Sequence, residues 1–267
     1  FSITTGVFNN FMGWDKSLGL EDLNGDGLAD ILLGTTYGVS VVWGTRTTGA
    51  SSGSISIDAL NPRTGLSLIG PSFNNANYGY QYTVAGAGDT NGDGVADVVI
   101  GNSFFNNNIG QAYLLFGNKS DFPANISLAS LSMAGGLVLN GTSTTAGKIG
   151  GSVAGNGDFN GDGLMDVAIG APQYSGGQGY VYVLFGDRHF PSGGTVNLLS
   201  LNGQTGFGVV GQSDGSMGTS VGFSDIYTDG LSDLLMGCPY VGGDGQSGSA
   251  YVVFGNRKKV SSVIAVS

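Results

Sequence analysis

In a chain of 267 residues, a formal charge of −10 argues against nucleic acid as a partner, since phosphate binding needs a basic face. Hydrophobic residues reach 40% and aromatics 10%, so the chain can pack a core despite 51 glycines, and no triplet glycine period points to collagen. A single cysteine, Cys238, excludes a disulfide scaffold and reads as a small buried hydrophobe, while no apolar run reaches the roughly 18 residues that a membrane helix needs.

The first dense motif runs from Asp22 to Asp30 and reads D-L-N-G-D-G-L-A-D. It returns as D-T-N-G-D-G-V-A-D at Asp89 to Asp97, D-F-N-G-D-G-L-M-D at Asp158 to Asp166 and D-I-Y-T-D-G-L-S-D at Asp225 to Asp233, with first aspartates 67, 69 and 67 residues apart. So steady a period means one supersecondary unit repeated around a shared core, and residues 1–267 read as a single domain.

Each copy places side-chain oxygens at positions one, three, five and nine. The sets are Asp22, Asn24, Asp26 and Asp30; Asp89, Asn91, Asp93 and Asp97; Asp158, Asn160, Asp162 and Asp166; and Asp225, Tyr227, Asp229 and Asp233. Position seven, occupied by Leu28, Val95, Leu164 and Leu231, can offer only its backbone carbonyl. Three carboxylates in nine residues repel one another in an empty loop, whereas Ca²⁺ accepts six to eight oxygens at about 2.3–2.6 Å. A hairpin turn needs only one or two such residues, so one Ca²⁺ per loop is expected, four in all. Of 19 acidic residues, 12 sit at positions one, five and nine, and four bound ions would bring the charge to about −2. The phenol of Tyr227 is a poor substitute for Asn, which makes the fourth site the weakest.

Every loop leads into a short apolar run: Ile31 to Leu33, Val98 to Ile100, Val167 to Ile169 and Leu234 to Met236. Runs so short, bounded by turn residues, predict strands buried on both faces. This excludes an EF-hand, which needs flanking helices and a Glu at position twelve, where this chain has Leu33, Ile100, Ile169 and Met236. A second run in each repeat ends in an aromatic and a glycine: Trp43-Gly44, Phe116-Gly117, Phe185-Gly186 and Phe254-Gly255. A third follows, as at Gly65 to Ile69 and Gly206 to Val210, and a small, glycine-rich strand precedes each loop. Four strands per repeat, smallest first, describe the blade of an all-β propeller made of antiparallel sheets.

The F-G at Phe185-Gly186, the G-A-P at Gly170-Ala171-Pro172 and the calcium-type loop between such elements resemble the FG-GAP repeats of integrin α-subunit propellers. The likeness covers nearly the whole chain. G-A-P drifts to Gly237-Cys238-Pro239, Gly101-Asn102-Ser103 and Gly34-Thr35-Thr36. Phe1 to Gly6 matches the outer-strand segments of other repeats, and Val260 to Ala265 matches the linker at Ile55 to Ala59, so residues 1–6 are expected to complete the last blade. Four repeats leave two readings, a closed four-bladed ring or part of a larger propeller completed by another copy or by further sequence. A chain starting at Phe1 is compatible with removal of a leader or with cutting from a larger protein.

Nothing resembling a catalytic constellation emerges. The one histidine, His189, lies in a polar linker, and Gly211-Gln-Ser213-Asp-Gly215 matches a nucleophile-elbow pattern without the strand-to-helix context or a histidine partner. The leading reading is therefore a non-enzymatic, calcium-stabilised extracellular module, secreted or on the cell surface, that binds a protein or glycan. Alternatives are a self-associating structural subunit of a surface layer or fibre and a non-catalytic domain of a larger enzyme. Candidate ligand contacts are Tyr37, Phe104, Phe105, Tyr174 and Tyr240, on the loops after the buried strand. Asn118, Asn125 and Asn140 head glycosylation sequons, which weakly favour secretion.

Overall fold

A computed structural model describes residues 2–6, 17–46, 54–71, 82–120, 122–133, 135–141, 147–240 and 247–266. Twenty strands, numbered β1 to β20 in chain order, form five sheets among these residues. The first blade consists of β2 (Leu18–Glu21), β3 (Asp30–Gly34), β4 (Gly38–Val42) and β6 (Gly65–Ile69). The second has β7 (Thr83–Gly88), β8 (Asp97–Asn102), β9 (Gln111–Leu115) and β11 (Gly136–Asn140). The third has β12 (Ser152–Gly157), β13 (Asp166–Ala171), β14 (Tyr180–Leu184) and β16 (Gly206–Val210). The last has β17 (Ser220–Ser224), β18 (Asp233–Cys238) and β19 (Ser249–Val253). Within each blade these strands are antiparallel neighbours in chain order.

Of the strands after the loops, β8 and β13 are buried on both faces because blades lie on either side of them, whereas β3 and β18, in the first and last blades, keep half-buried residues where the expectation was full burial. Inner strands pack in the order β2, β7, β12, β17. One apolar cluster joins the first two blades, setting Leu32, Val41 and Leu66 against Val98, Ile100 and Tyr113. A second joins Val99, Leu114 and Phe116 to Val167, Ile169 and Tyr182, and a third joins Val181, Phe185 and Phe207 to Leu234 and Met236. Cys238 is buried in this last cluster, as expected of a small apolar side chain.

Sequence reasoning gives four strands per repeat, but the sheets of the first three blades have five. The extra strand comes from the following repeat's linker. Thus β10 (Asn125–Ser127) lies parallel to β6, β15 (Gly194–Asn197) to β11 and β20 (Val263–Ala265) to β16. Each linker strand straps one blade to the next. The same rule accounts for β1 (Ser2–Thr4), which lies parallel to β5 (Ser54–Ser56), the linker strand of the first blade. Residues 2–4 therefore stand beside β5 and not beside β19, in the outer-strand place of a blade preceding the first, and Phe1 lies outside the described residues. The last blade has three described strands.

The aromatic-glycine pairs close each blade. The aromatic faces the next blade, as Phe116 and Phe185 show by their clusters, and Trp43 meets Phe122 with ring centroids 5.9 Å apart. The glycine fits where no side chain can. A Cβ at Gly117 would stand 2.1 Å from the Ala96 carbonyl of its own loop and 3.0 Å from the Leu23 carbonyl of the preceding one. Gly117→Ala is expected to lower unfolding stability by about 1–3 kcal/mol through overpacking. Gly222→Ala, with nothing within 4 Å of the added carbon, should shift the urea midpoint far less.

Candidate metal centre

The four loops join the first and second strands of their blades, all at one end of the strands. Their glycines take the left-handed backbone that a side chain would resist, with φ of +68° and +83° at Gly25 and Gly27. That curl turns successive amides toward the side-chain oxygens. In the first loop Asp26 N–H donates to Asp22 Oδ1 and Asn24 Oδ1, each at 3.0 Å, Gly27 N–H to Asp22 Oδ2 at 2.8 Å, and Leu28 N–H to Asp26 Oδ1 at 2.8 Å. The second and third loops repeat the pattern, with Gly94 N–H reaching Asp89 Oδ2 at 2.9 Å and Gly163 N–H reaching Asp158 Oδ2 at 3.0 Å. Oxygens at positions one, three and five of the first three loops are thereby oriented by the loop's own amides.

Position nine behaves differently. Asp30, Asp97, Asp166 and Asp233 are buried, and each bridges two backbone amides. Asp30 accepts from Leu23 N–H at 3.0 Å and from Gly44 N–H at 2.8 Å. Asp97 accepts from Thr90 N–H and Gly117 N–H, both at 2.9 Å, and from the Thr90 hydroxyl. Asp166 takes Phe159 N–H at 2.8 Å and Gly186 N–H at 2.9 Å, and Asp233 takes Ile226 and Gly255 N–H, both at 2.9 Å. The glycine of each F-G pair thus donates to the ninth residue of its own loop. Burial pushes the carboxyl of Asp30 up to about 6 and those of Asp97 and Asp166 up to about 7, with loop carboxylates pushing the same way and amide donors opposing.

Among the described residues, no three acidic, His or Cys side chains stand grouped as a metal site on their own. The loops combine exposed or half-exposed carboxylates at positions one and five, an Asn oxygen and a backbone carbonyl, with the ninth carboxylate turned to the amides. An all-oxygen set of mixed charge, open to water, suits a hard cation such as Ca²⁺. The fourth loop lacks part of it. The Tyr227 ring packs edge-on against Phe254 with centroids 4.8 Å apart, Thr228 takes φ +54°, and Asp225 keeps its bonds from Asp229 and Gly230.

A further element lies two residues beyond each F-G pair. Arg188 Nη1 donates to Gly92 O at 3.2 Å and Arg257 Nη1 to Gly161 O at 2.8 Å, so each cation sits on position four of the preceding blade's loop. The Lys119 stem covers Gly25 in the same way, close enough that a Cβ there would lie 2.9 Å from its Cγ. Alongside, Asn118, Asp187 and Asn256 N–H donate to the position-two carbonyls of Leu23, Thr90 and Phe159 at 3.1, 2.9 and 2.9 Å. The signal was available as W-G-T-R, F-G-N-K, F-G-D-R and F-G-N-R, one per repeat.

The loops after the second strands emerge at the other end of the blades. Tyr37 and Tyr240 are exposed there, whereas Phe104, Phe105 and Tyr174 are half-buried. Lys148 Nζ lies 5.0 Å over the Phe104 ring, and Tyr174 packs on Tyr180 with centroids 4.8 Å apart. Asn118 and Asn125 are exposed, while Asn140 is half-buried and accepts from the Gln111 amide.

Asp97→Asn replaces an acceptor by an NH₂ donor facing backbone amides. It should cost about 1–3 kcal/mol of unfolding free energy, the loss typical of a buried unsatisfied group. Urea denaturation in EDTA isolates this clamp from any ion, and unchanged stability there would refute it.

The family model described as FG-GAP repeat matches residues 81–115 and 150–184. Phosphatidylinositol-glycan-specific phospholipase D of Rattus norvegicus is 30% identical over 179 residues, covering 64% of this chain and 20% of that protein. The same-named protein of Homo sapiens is 29% identical over 191 residues, covering 68% and 21%. Integrin alpha-5 of Xenopus laevis is 29% identical over 199 residues, covering 72% of this chain and 16% of its own length. The chain thus spans about a fifth or less of these curated relatives. With the loops, the F-G glycines and the blades in register, the chain carries FG-GAP repeats of the kind found in integrin α-subunit propellers.

Proposed function

We propose that the chain is one calcium-stabilised propeller domain that binds a protein or glycan outside the cell. Asp22, Asn24 and Asp26 with the Leu28 carbonyl would hold the first ion; the matching residues of the other loops would hold the rest, with Tyr227 removing a donor from the last. Each position-nine aspartate would add its carboxylate charge to the set while keeping its amides. The observation that carries this reading is the amide-oriented set of oxygens at positions one, three and five, repeated at a fixed place in successive blades. A bound cation relieves the repulsion within each loop and stiffens the hairpin on which the next blade's basic residue rests. Millimolar calcium outside cells fills even sites with Kd near 10⁻⁴ M, which favours that compartment. No helix among the described residues is long and apolar enough to cross a membrane.

The ligand face is the opposite end of the blades, where Tyr37 and Tyr240 lie exposed. Phe104, Phe105 and Tyr174 are supporting members, since they already pack on neighbours. A second reading, a non-catalytic part of a larger enzyme, is favoured by the phospholipase D relatives, of which this chain matches about a fifth. In either reading the repeats bind and do not catalyse.

Calorimetric titration with Ca²⁺ should count three tighter sites and one weaker, and EDTA should lower Tm. Asp162→Ala should remove one ion from the count. An unchanged count, or a melt indifferent to EDTA, would refute the ligand assignment. Tyr227→Asn should tighten the weakest site at least several-fold, because it restores an oxygen at position three.

A further inference from the structure

Neighbouring loops touch, and three consecutive residues after the third strand of a blade make one of the contacts. In the third blade Gly186 N–H donates to Asp166 Oδ1 of its own loop at 2.9 Å. The next amide, Asp187 N–H, donates at 2.9 Å to the Thr90 carbonyl of the second loop, and Arg188 Nη1 donates at 3.2 Å to the Gly92 carbonyl of that loop. The fourth blade repeats the set on the third loop, with Gly255 N–H on Asp233, Asn256 N–H on the Phe159 carbonyl and Arg257 Nη1 on the Gly161 carbonyl. One short turn therefore holds a ninth-position carboxylate with its first residue and the preceding loop with the following two.

A second link is more direct. Met165, at position eight of the third loop, donates its N–H at 3.0 Å to the carbonyl of Asp89, at position one of the second. Ser232 N–H likewise donates at 2.9 Å to the carbonyl of Asp158. Each of these N–H groups shares its peptide unit with a position-seven carbonyl, that of Leu164 or Leu231. In a planar trans peptide the two groups point in opposite directions, so an N–H aimed at the preceding loop turns the position-seven carbonyl away from it. Such an N–H becomes a stronger donor to the neighbouring loop when the carbonyl of its own peptide coordinates a cation, because linked polar groups polarise one another. Side chains close the same seam, since a Cβ on Gly161 would lie 2.6 Å from Leu231 Cδ2.

The basic residues at these seams do not compete for the loop carboxylates. Arg188 and Arg257 donate to carbonyls, and the one ion pair among the described residues joins His189 to Asp187. The junction of the first two loops is built with fewer bonds. Asn118 N–H reaches the Leu23 carbonyl at 3.1 Å, but among the described residues no bond joins Ala96 N–H to Asp22 or Lys119 Nζ to Gly25.

We propose that the cation sites are coupled along the chain, occupancy of the third loop raising the affinity of the second, and occupancy of the fourth raising that of the third. The shared peptide and the arginine-bearing turn carry the coupling. The effect is reciprocal, because a gain that one site confers on its neighbour is returned by the same factor. The sparsely bonded first junction couples its two loops least. This inference rests on the reading of the loops as calcium sites.

Nuclear magnetic resonance titration of the full chain with Ca²⁺ follows each site separately, since Gly27, Gly94, Gly163 and Gly230 N–H each donate to the position-one carboxylate of one loop. Asp162→Ala, which disables the third loop, should raise the Ca²⁺ concentration at half-shift of Gly94 by about five-fold or more and move Gly27 by less than about two-fold. Asp93→Ala should weaken the third loop, read at Gly163, by the factor that Asp162→Ala imposes on the second. Arg188→Gln keeps every loop ligand, and in its background Asp162→Ala should shift Gly94 much less. Should an alanine variant fold poorly, the native chain still decides, because Gly94 and Gly163 should titrate more steeply than independent sites. A Gly94 midpoint indifferent to Asp162→Ala, unequal reciprocal factors, a coupling untouched by Arg188→Gln, or four independent isotherms would overturn the coupling while leaving the calcium reading in place. Glycine amides that do not move with Ca²⁺ at all would overturn that reading and the coupling together.

Discussion

The structure depends on a buried carboxylate that bridges two backbone amides. In each repeat the ninth loop residue accepts one hydrogen bond from the start of its loop and one from the glycine after the third strand. A buried acid carries a large desolvation penalty, seen in the raised values at Asp30, Asp97 and Asp166, and only close donors make it tolerable. The requirement propagates outward. The donor must come within hydrogen-bond distance, so the residue after the aromatic must lack a side chain, and the third strand must end against the loop. The F-G motif is the imprint of that requirement on the sequence.

A second layer of order links blades. The glycine that serves the carboxylate is followed by an amide that reaches the previous loop and a basic side chain that lies over it. Linker strands repeat the strap at the outer rim. Every contact of this kind is between neighbours, so stability should be roughly a sum of blade and junction contributions. In such an array the end blades are the least covered, which is why Leu18 and Phe254 differ so sharply from their interior counterparts.

Much of this was legible in the residues. The D-x-N-G-D-G pattern and the apolar runs after it are local signals, and they place β3, β8, β13 and β18 because glycine, aspartate and β-branched residues restrict the backbone where they stand. The linker strands were harder to see. Asn125 to Ser127 has no alternation to distinguish it from coil, and it becomes a strand only because β6 offers an edge from the preceding repeat. Residues 2–4 share an outer-strand sequence with β6, but composition cannot say which blade claims them. The roles of Arg188 and Arg257 were obscured for another reason. Their partners are carbonyls of Gly92 and Gly161, 96 residues away, and a carbonyl leaves no mark in a sequence.

The central claim is that the four loops are cation clamps seated on buried carboxylates, and an anomalous difference map from crystals grown in calcium tests it most directly. The account predicts peaks inside the loops at residues 22–30, 89–97 and 158–166, with a weaker one at 225–233 where Tyr227 replaces Asn. Loops without anomalous density at saturating calcium, their position-one and position-five carboxylates facing solvent, would contradict it.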